Sequence, residues 1–181
     1  MKLIFITVSD YKRKEVTSFF DGSGIELQIL HYPIQEILDI NLDNIVRDKV
    51  IKAYKQVGSP CAVEHGGLFI DALNGFPGGL SKVVWDRIGD KLCSFIQVGD
   101  KRDATAKSVI GYCDGKTVNL FPGETRGTIA GIGSGKYTFQ WDPIFIPNGT
   151  TKTYAELGFP AKAKFSQALI GWKNLIKHLK E

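Results

Sequence analysis

The sequence predicts an α/β protein with a mixed sheet. Apolar runs of strand length alternate with helically spaced segments in its first part. β-type runs separated by turn dipeptides fill its middle, and an amphipathic stretch lies near its end. With 181 residues, 43% hydrophobic and 23% charged, the composition is close to that of an ordinary globular domain. A chain of this length buries roughly 70% of its unfolded surface, enough for a core without disulfide or metal staples. One domain over 1–181, with room for two lobes, is the expectation.

Lys2 to Thr7 is a continuous apolar run of strand type, too short for a secretory signal and without a small-residue cleavage site. Lys12 to Phe20 carries Val16, Phe19 and Phe20 at helical spacing and stops at Asp21-Gly22. Ile25 to Leu30 reads as a second strand. After Pro33, a helix is expected from Leu42 to Gln56, with Ile45, Val46, Val50 and Ala53 on one side. Cys61 to Val63 begins another strand, which Gly66-Gly67 is expected to interrupt. Ser81 to Val98, with Val84, Trp85, Ile88, Leu92 and Phe95 on one face, predicts a long helix. Thr105 to Cys113, Thr117 to Phe121 and Thr128 to Ile132, separated by Asp114-Gly115 and Pro122-Gly123, suggest an antiparallel meander. A last helix is expected from Lys164 to Leu179.

Several function classes are excluded at once. No apolar stretch approaches the ~20 residues that cross a bilayer. Cys61, Cys93 and Cys113 form no CxxC pair and suit free thiols in a reducing cytoplasm. A net charge of +4 favours an anionic ligand without implying a nucleic-acid polymer.

Four stretches carry chemistry. Gly131-Ile132-Gly133-Ser134-Gly135-Lys136 resembles a phosphate loop, but such a loop needs Gly at 130 and Ser or Thr at 137, where Ala130 and Tyr137 stand. The following Tyr137 to Trp141 reads as a strand rather than a helix, so the cluster is a turn. Thr7-Val8-Ser9-Asp10-Tyr11-Lys12 lies where a strand gives way to a helix, a place where amides, a hydroxyl and a lysine converge on phosphate. The plainer reading is that Ser9-Asp10 caps the helix. Glu36, Asp39, Glu64 and Asp71 lie near strand ends or loops, and two or three of them meeting would suit a hard cation carrying phosphate oxygens. His65 follows Glu64 at the expected end of its strand. Phe139-Gln140-Trp141-Asp142-Pro143 puts two aromatics on one face of a strand, suited to the core or to stacking on a base.

Trp141-Asp142-Pro143-Ile144-Phe145-Ile146-Pro147, with Lys152-Thr153-Tyr154-Ala155-Glu156-Leu157, is the strongest of these patterns. The second is Val63-Glu64-His65-Gly66-Gly67-Leu68 followed by Asp71-Ala72-Leu73-Asn74-Gly75-Phe76-Pro77-Gly78. At this spacing they resemble the inosine/xanthosine triphosphate pyrophosphatase family, house-cleaning enzymes for non-standard purine nucleotides, over nearly the whole chain. The resemblance implies an α/β, elongated two-lobed mixed-sheet domain of the inosine triphosphate pyrophosphatase-like type, with a cleft between lobes and a homodimeric state. It implies a nucleoside triphosphate substrate and Mg²⁺, or Mn²⁺ or another divalent cation. The implied reaction is attack of water at the α-phosphorus, giving a monophosphate and pyrophosphate.

Carried over residue by residue, Thr7, Ser9 and Lys12 fall on the phosphate-binding turn, Lys49 on a phosphate-contacting helix position and Lys82 on the segment after Pro-Gly. Glu36 falls on the metal-binding Glu, so Glu36, Glu64 and His65 form the expected metal set. His65, Glu36 and Lys12 form the expected catalytic set. Phe139, Trp141 and Asp142 fall on the base-pocket strand, and Lys162, Ser166 and Gln167 on the C-terminal base-binding segment. His65 stands where the family has its catalytic Asp, and Ser166-Gln167-Ala168 where it has Ser-His-Arg. The expected function is a cytoplasmic, divergent nucleoside triphosphate pyrophosphatase with no membrane or nucleic-acid polymer as partner. The alternatives are a nucleotide-binding sensor or partner protein of the same fold that has lost hydrolysis, and a hydrolase of a different nucleotide or bond.

Overall fold

The computed structural model describes residues 2–136 and 139–181, and the backbone alone of Pro160. In chain order the elements are β1 (Lys2–Ile6), α1 (Asp10–Phe20), β2 (Glu26–Leu30), α2 (Leu42–Val57), β3 (Cys61–Ile70), β4 (Pro77–Gly78) and α3 (Ser81–Ile88). Then come β5 (Asp103–Cys113), β6 (Val118–Ile129), β7 (Phe145–Pro147), α4 (Tyr154–Ala161) and α5 (Gln167–His178). The sheet runs in the order β2-β1-β3-β5-β6-β7, with β4 paired to β3. β1 is parallel to both β2 and β3, whereas β4 on β3 and β7 on β6 are antiparallel, so the expected mixed sheet is present. Among the described residues no helix is long and apolar enough to cross a membrane.

The chain divides into two compact units. The first comprises Met1–His65, Ser108–Gly123 and Ala168–Glu181. Its core gathers Leu3 and Phe5 of β1, Val16 and Phe20 of α1, Ala62 of β3, Ile110 and Tyr112 of β5, and Trp172 and Leu175 of α5. Trp172 is fully buried and meets the rings of Phe5 and Phe20 edge-on, at 4.8 and 5.5 Å between centroids. Asn41 caps α2 by accepting from the Asp43 amide, and Gly58 ends it in the left-handed region at φ 62°, its amide donating to Tyr54. Gly111 allows a close approach to α2: a Cβ there would lie 2.5 Å from Cγ1 of Val46.

The second unit comprises Gly66–Lys107 and Glu124–Gln167. Leu68 and Ile70 of β3, Leu92, Ala104, Ile129, Ile144, Phe145 and Tyr154 make its core. Within it lies a buried ion pair, both oxygens of Asp142 accepting from Nζ of Lys162 at 2.8 and 2.9 Å. An isolated charge in such surroundings would cost several kcal/mol, and the pairing offsets much of that. The Lys162 ammonium also lies 4.8 Å from the centroid of the Tyr154 ring.

Five sequence expectations change. β3 does not stop at Gly66-Gly67 but runs on to Ile70, because glycine in a strand weakens it without forbidding pairing, here with β4. His65 is therefore inside a strand. The helix expected over Ser81–Val98 ends at Ile88, where Gly89 takes φ 57° and the chain continues as a 3-10 segment, Gly89–Phe95. Leu92 is buried as its spacing suggested, but Phe95 is exposed. Pro122-Gly123 does not split two strands, since β6 runs through it from Val118 to Ile129. Residues 139–141 form a bend and turn rather than a strand, with Gln140 at φ 47°, while Tyr137 and Thr138 lie outside the described residues. The last helix starts at Gln167, after a separate 3-10 turn over Lys162–Phe165.

Gly111→Ala tests the α2 contact. An added methyl against stiff, β-branched Val46 should destabilise by about 1–3 kcal/mol, at roughly 2–4 °C of melting temperature per kcal/mol for a chain of this size. Thermal unfolding followed by circular dichroism reads this out, and a melting point equal to the parent's would show that α2 yields without cost.

Candidate active site

In the first unit, three elements and one irregular segment bring a polar cluster together. β1 ends at Ile6, and its parallel register with β3 (Phe5 beside Ala62) brings the turn that follows it level with Glu64 and His65. In that turn Thr7 Oγ1 accepts from the Ser9 amide at 3.1 Å, and Ser9 Oγ accepts from the Lys12 amide at 3.3 Å as the N-cap of α1. Ser9 is thus a capping residue, which is the plainer of its two readings. Lys12 enters the first turn of the helix, and its Nζ reaches back to the Glu64 carbonyl at 3.3 Å and to Glu64 Oε1 at 3.3 Å.

Lys49, near the middle of α2, donates to the same Glu64 carbonyl at 3.2 Å and to Glu36 Oε1 at 2.5 Å. Two ammonium groups therefore share one carbonyl. Burial is the largest influence on Lys49 and pushes its pKa below the ordinary lysine value; Glu36 works against this and the charge of Lys12 adds to it. Glu36 comes from the segment between β2 and α2 that has no regular structure, and its Oε2 lies 3.3 Å from Nδ1 of His65. Burial raises the pKa of Glu36, but the hydrogen bond from His65 and the charge of Lys49 outweigh it and hold the carboxyl far below the usual range. It is ionised at neutral pH.

The expected metal residues behave differently from one another. Glu64 is 5% exposed, and its carboxylate is ion-paired with Lys12 at 3.3 Å and accepts from Ser108 Oγ at 3.1 Å and from Trp172 Nε1 at 3.2 Å. With three donors on it, Glu64 does not fit the metal role expected of it. Glu36 is the more open of the two, with its side chain 34% exposed and ionised, although Lys49 and His65 hold its two oxygens; a hard cation whose other ligands are phosphate oxygens and water needs only one or two carboxylates. Among the described residues no three His, Cys, Asp or Glu side chains gather as a metal cage. Asp39 accepts from the Asn41 amide and the Asn44 side chain, and Asp71 lies 3.8 Å from Arg126, so neither joins Glu36.

The remaining expected residues belong to the second unit. Trp141 is 5% exposed and packs edge-on against Phe145, with no hydrogen-bond partner on its indole nitrogen among the described residues, so its ring is part of the core. Phe139 lies beside the Lys162 ammonium, 5.6 Å from ring centroid to nitrogen. Asp142 and Lys162 form the buried pair, Ser166 is buried, and Gln167 Oε1 lies 3.2 Å from the Tyr154 hydroxyl, which also donates to the Phe165 carbonyl at 2.8 Å. Lys82 is exposed on α3, with its ammonium on Asp86 one turn along. The glycine cluster forms a turn in which Ser134 Oγ donates to Glu156 and the Ser134 carbonyl accepts from Thr153, so it does not open a helix.

Sequence reasoning missed Ser108 and Trp172, the two donors that seat Glu64. Ser108 left a faint signal as a hydroxyl inside the apolar run of β5, whereas Trp172 is indistinguishable by pattern from any core aromatic. Tyr154, seen only as part of a motif, proves to be the buried partner of Lys162 and Gln167.

A sequence model of the Ham1 family matches residues 3–178. The dITP/XTP pyrophosphatase of Methanopyrus kandleri is 38% identical over 169 residues, covering 92% of this chain and 89% of that protein. That of Thermococcus kodakarensis is 33% identical over 182 residues, covering 100% and 98%. Among solved structures, the Ham1 protein of Staphylococcus aureus shares the fold with a TM-score of 0.83 at 22% identity, covering 99% of this chain and 98% of that one. The nucleoside-triphosphatase/dITP/XTP pyrophosphatase of Mycobacterium abscessus gives 0.74 at 28% identity, covering 99% and 100%. Matched in pattern from residue 3 to residue 178, and in fold along nearly its whole length, the chain belongs to the Ham1 family.

Proposed function

We propose that this protein is a nucleoside triphosphate pyrophosphatase of non-standard purine nucleotides. In the proposed reaction, water forms a bond to the α-phosphorus, the bond from that phosphorus to the bridging oxygen breaks, and pyrophosphate leaves the monophosphate behind. The observation that carries the reading is the meeting of Lys12 and Lys49 on one carbonyl beside an ionised Glu36. Two like charges held that close call for an anion of more than one charge, and ammonium groups are strong point donors to phosphate oxygens. The names of the relatives, dITP/XTP pyrophosphatases, supply the substrate class. A divalent cation held by Glu36 together with phosphate oxygens would neutralise charge on the triphosphate. Phe139, Asp142, Lys162, Ser166 and Gln167 are the residues we assign to the base. A homodimer working in the cytoplasm is part of the same proposal.

One observation favours a second reading, a nucleotide-binding protein that no longer hydrolyses. His65 stands where the resembling family has an acidic residue, and here it holds one oxygen of Glu36. A panel of ribo- and deoxyribonucleoside triphosphates with Mg²⁺ and with Mn²⁺, scored for pyrophosphate, phosphate, free base and thermal shift, separates the two. Thermal shift without any product would establish the second.

Three outcomes are expected. Lys12→Ala and Lys49→Ala should each weaken triphosphate binding tenfold or more by calorimetry, since a charge-assisted hydrogen bond contributes about 1.5–3 kcal/mol, and the loss should be equal for every base. Parent-like binding by both variants would place the phosphates elsewhere. His65→Asp should raise Mg²⁺-dependent pyrophosphate release, because a carboxylate is a harder donor and would no longer hold Glu36 by a hydrogen bond; a fall would instead make His65 a working base. The preference for inosine and xanthosine over adenosine and guanosine triphosphates should be weaker than in relatives with Ser-His-Arg, and Gln167→His should strengthen it, as read by ratios of kcat/KM. A parent already as selective as those relatives would show that other groups read the base.

A further inference from the structure

We propose that Glu64 is a positioning residue that sets Lys12 and Lys49 as one anion-binding pair, and that this placement is anchored in the core through Ser108 and Trp172. The proposal rests on the reading of the two lysines as phosphate-binding groups. Glu64 acts through two atoms. Its main-chain carbonyl accepts from both lysines, at 3.3 and 3.2 Å, and its carboxylate binds Lys12 a second time at 3.3 Å. Lys12 thus has two fixed points on one residue, which restricts a side chain that is otherwise among the most mobile.

The carboxylate is fixed in turn. Ser108 of β5, 1% exposed, donates to Oε1, and Trp172 of α5, wedged against Phe5 and Phe20, donates to Oε2. A hydroxyl and an indole N–H need only an acceptor, and an amide oxygen would satisfy them as well as a carboxylate. The negative charge is needed only by the ammonium groups, by Lys12, paired with it at 3.3 Å, and by Lys49, whose charged form it also favours. A charged side chain in the core is costly where a neutral acceptor would serve packing, so the charge serves the two lysines.

Glu64→Gln is therefore the informative change, since it keeps the shape and an acceptor while it removes the charge. Inorganic tripolyphosphate, titrated by calorimetry into the parent, Glu64→Gln, Lys12→Ala and the double variant, reads the phosphate end alone. It requires neither hydrolysis nor a base. Glu64→Gln should weaken tripolyphosphate binding about tenfold, and should raise KM for a cleaved nucleotide similarly while kcat changes less than about threefold. In the Lys12→Ala background the same change should have a clearly smaller effect on both quantities, the remainder acting through Lys49, whereas a merely structural role would give the same increment in both backgrounds.

Trp172→Phe supplies a second variant that keeps a ring against Phe5 and Phe20 and deletes one donor to Glu64. It should weaken tripolyphosphate binding severalfold in the parent and less in Lys12→Ala. Unchanged or tighter binding by Glu64→Gln, or an equal effect in both backgrounds, would overturn the proposal. A parent that binds tripolyphosphate and cleaves no nucleotide would overturn the activity proposed above, while the binding comparison would still decide the role of Glu64.

Discussion

A carboxylate with 5% exposure in the middle of a ten-residue strand persists only when donors surround it, and much of the first unit is arranged to provide them around Glu64. Trp172 reaches it from α5, Ser108 from β5 and Lys12 from α1. The elements of this unit that flank β3 therefore meet not only through apolar contacts but through one polar residue that all three contribute to satisfying. Such a contact is specific in a way that packing is not, because a shift of one residue in register would leave a buried charge unpaired.

Alternation along β3 then separates two chemistries. Glu64 and His65 are neighbours, yet their side chains have different partners: Glu64 bonds to Ser108, Trp172 and Lys12, while His65 bonds to Glu36 on the segment between β2 and α2. Period-two geometry is the reason, since successive side chains on a strand point to opposite faces. One residue of the pair is committed to the core and the other to the half-exposed Glu36. The carbonyl of Glu64 belongs to neither face and is open to both Lys12 and Lys49, so one peptide group links the two sets. The three cysteines take no part: all are buried and unpaired, and burial pushes the Cys61 thiol up to about 12, which keeps it unreactive.

In the second unit the same principle works with a different pair. Asp142 and Lys162 are twenty positions apart and paired with one another, and aromatic rings of Phe139 and Tyr154 lie beside the ammonium. Trp141, adjacent to Asp142, is drawn into the core with Phe145, because the turn at 139–141 replaces the strand that would have shown both aromatics on one face.

The sequence alone determined the elements whose signal is local: β1, α1, β2 and α2, whose boundaries follow from apolar period, a capping Ser or Asn and a terminal glycine. Its motifs also identified Lys12, Lys49 and Glu36 as belonging together, through resemblance rather than periodicity. Tertiary structure alone decided the rest, for a physical reason that recurs. Whether glycines at 66–67 or Pro122-Gly123 break a strand depends on the neighbour that pairs across them, and no local propensity contains that neighbour. Whether Glu64 holds a metal or holds Lys12 depends on Ser108 and Trp172, which lie 44 and 108 positions away along the chain. A carboxylate announces its charge in the sequence, but the donors that occupy its oxygens exist only once distant strands and helices have packed around it.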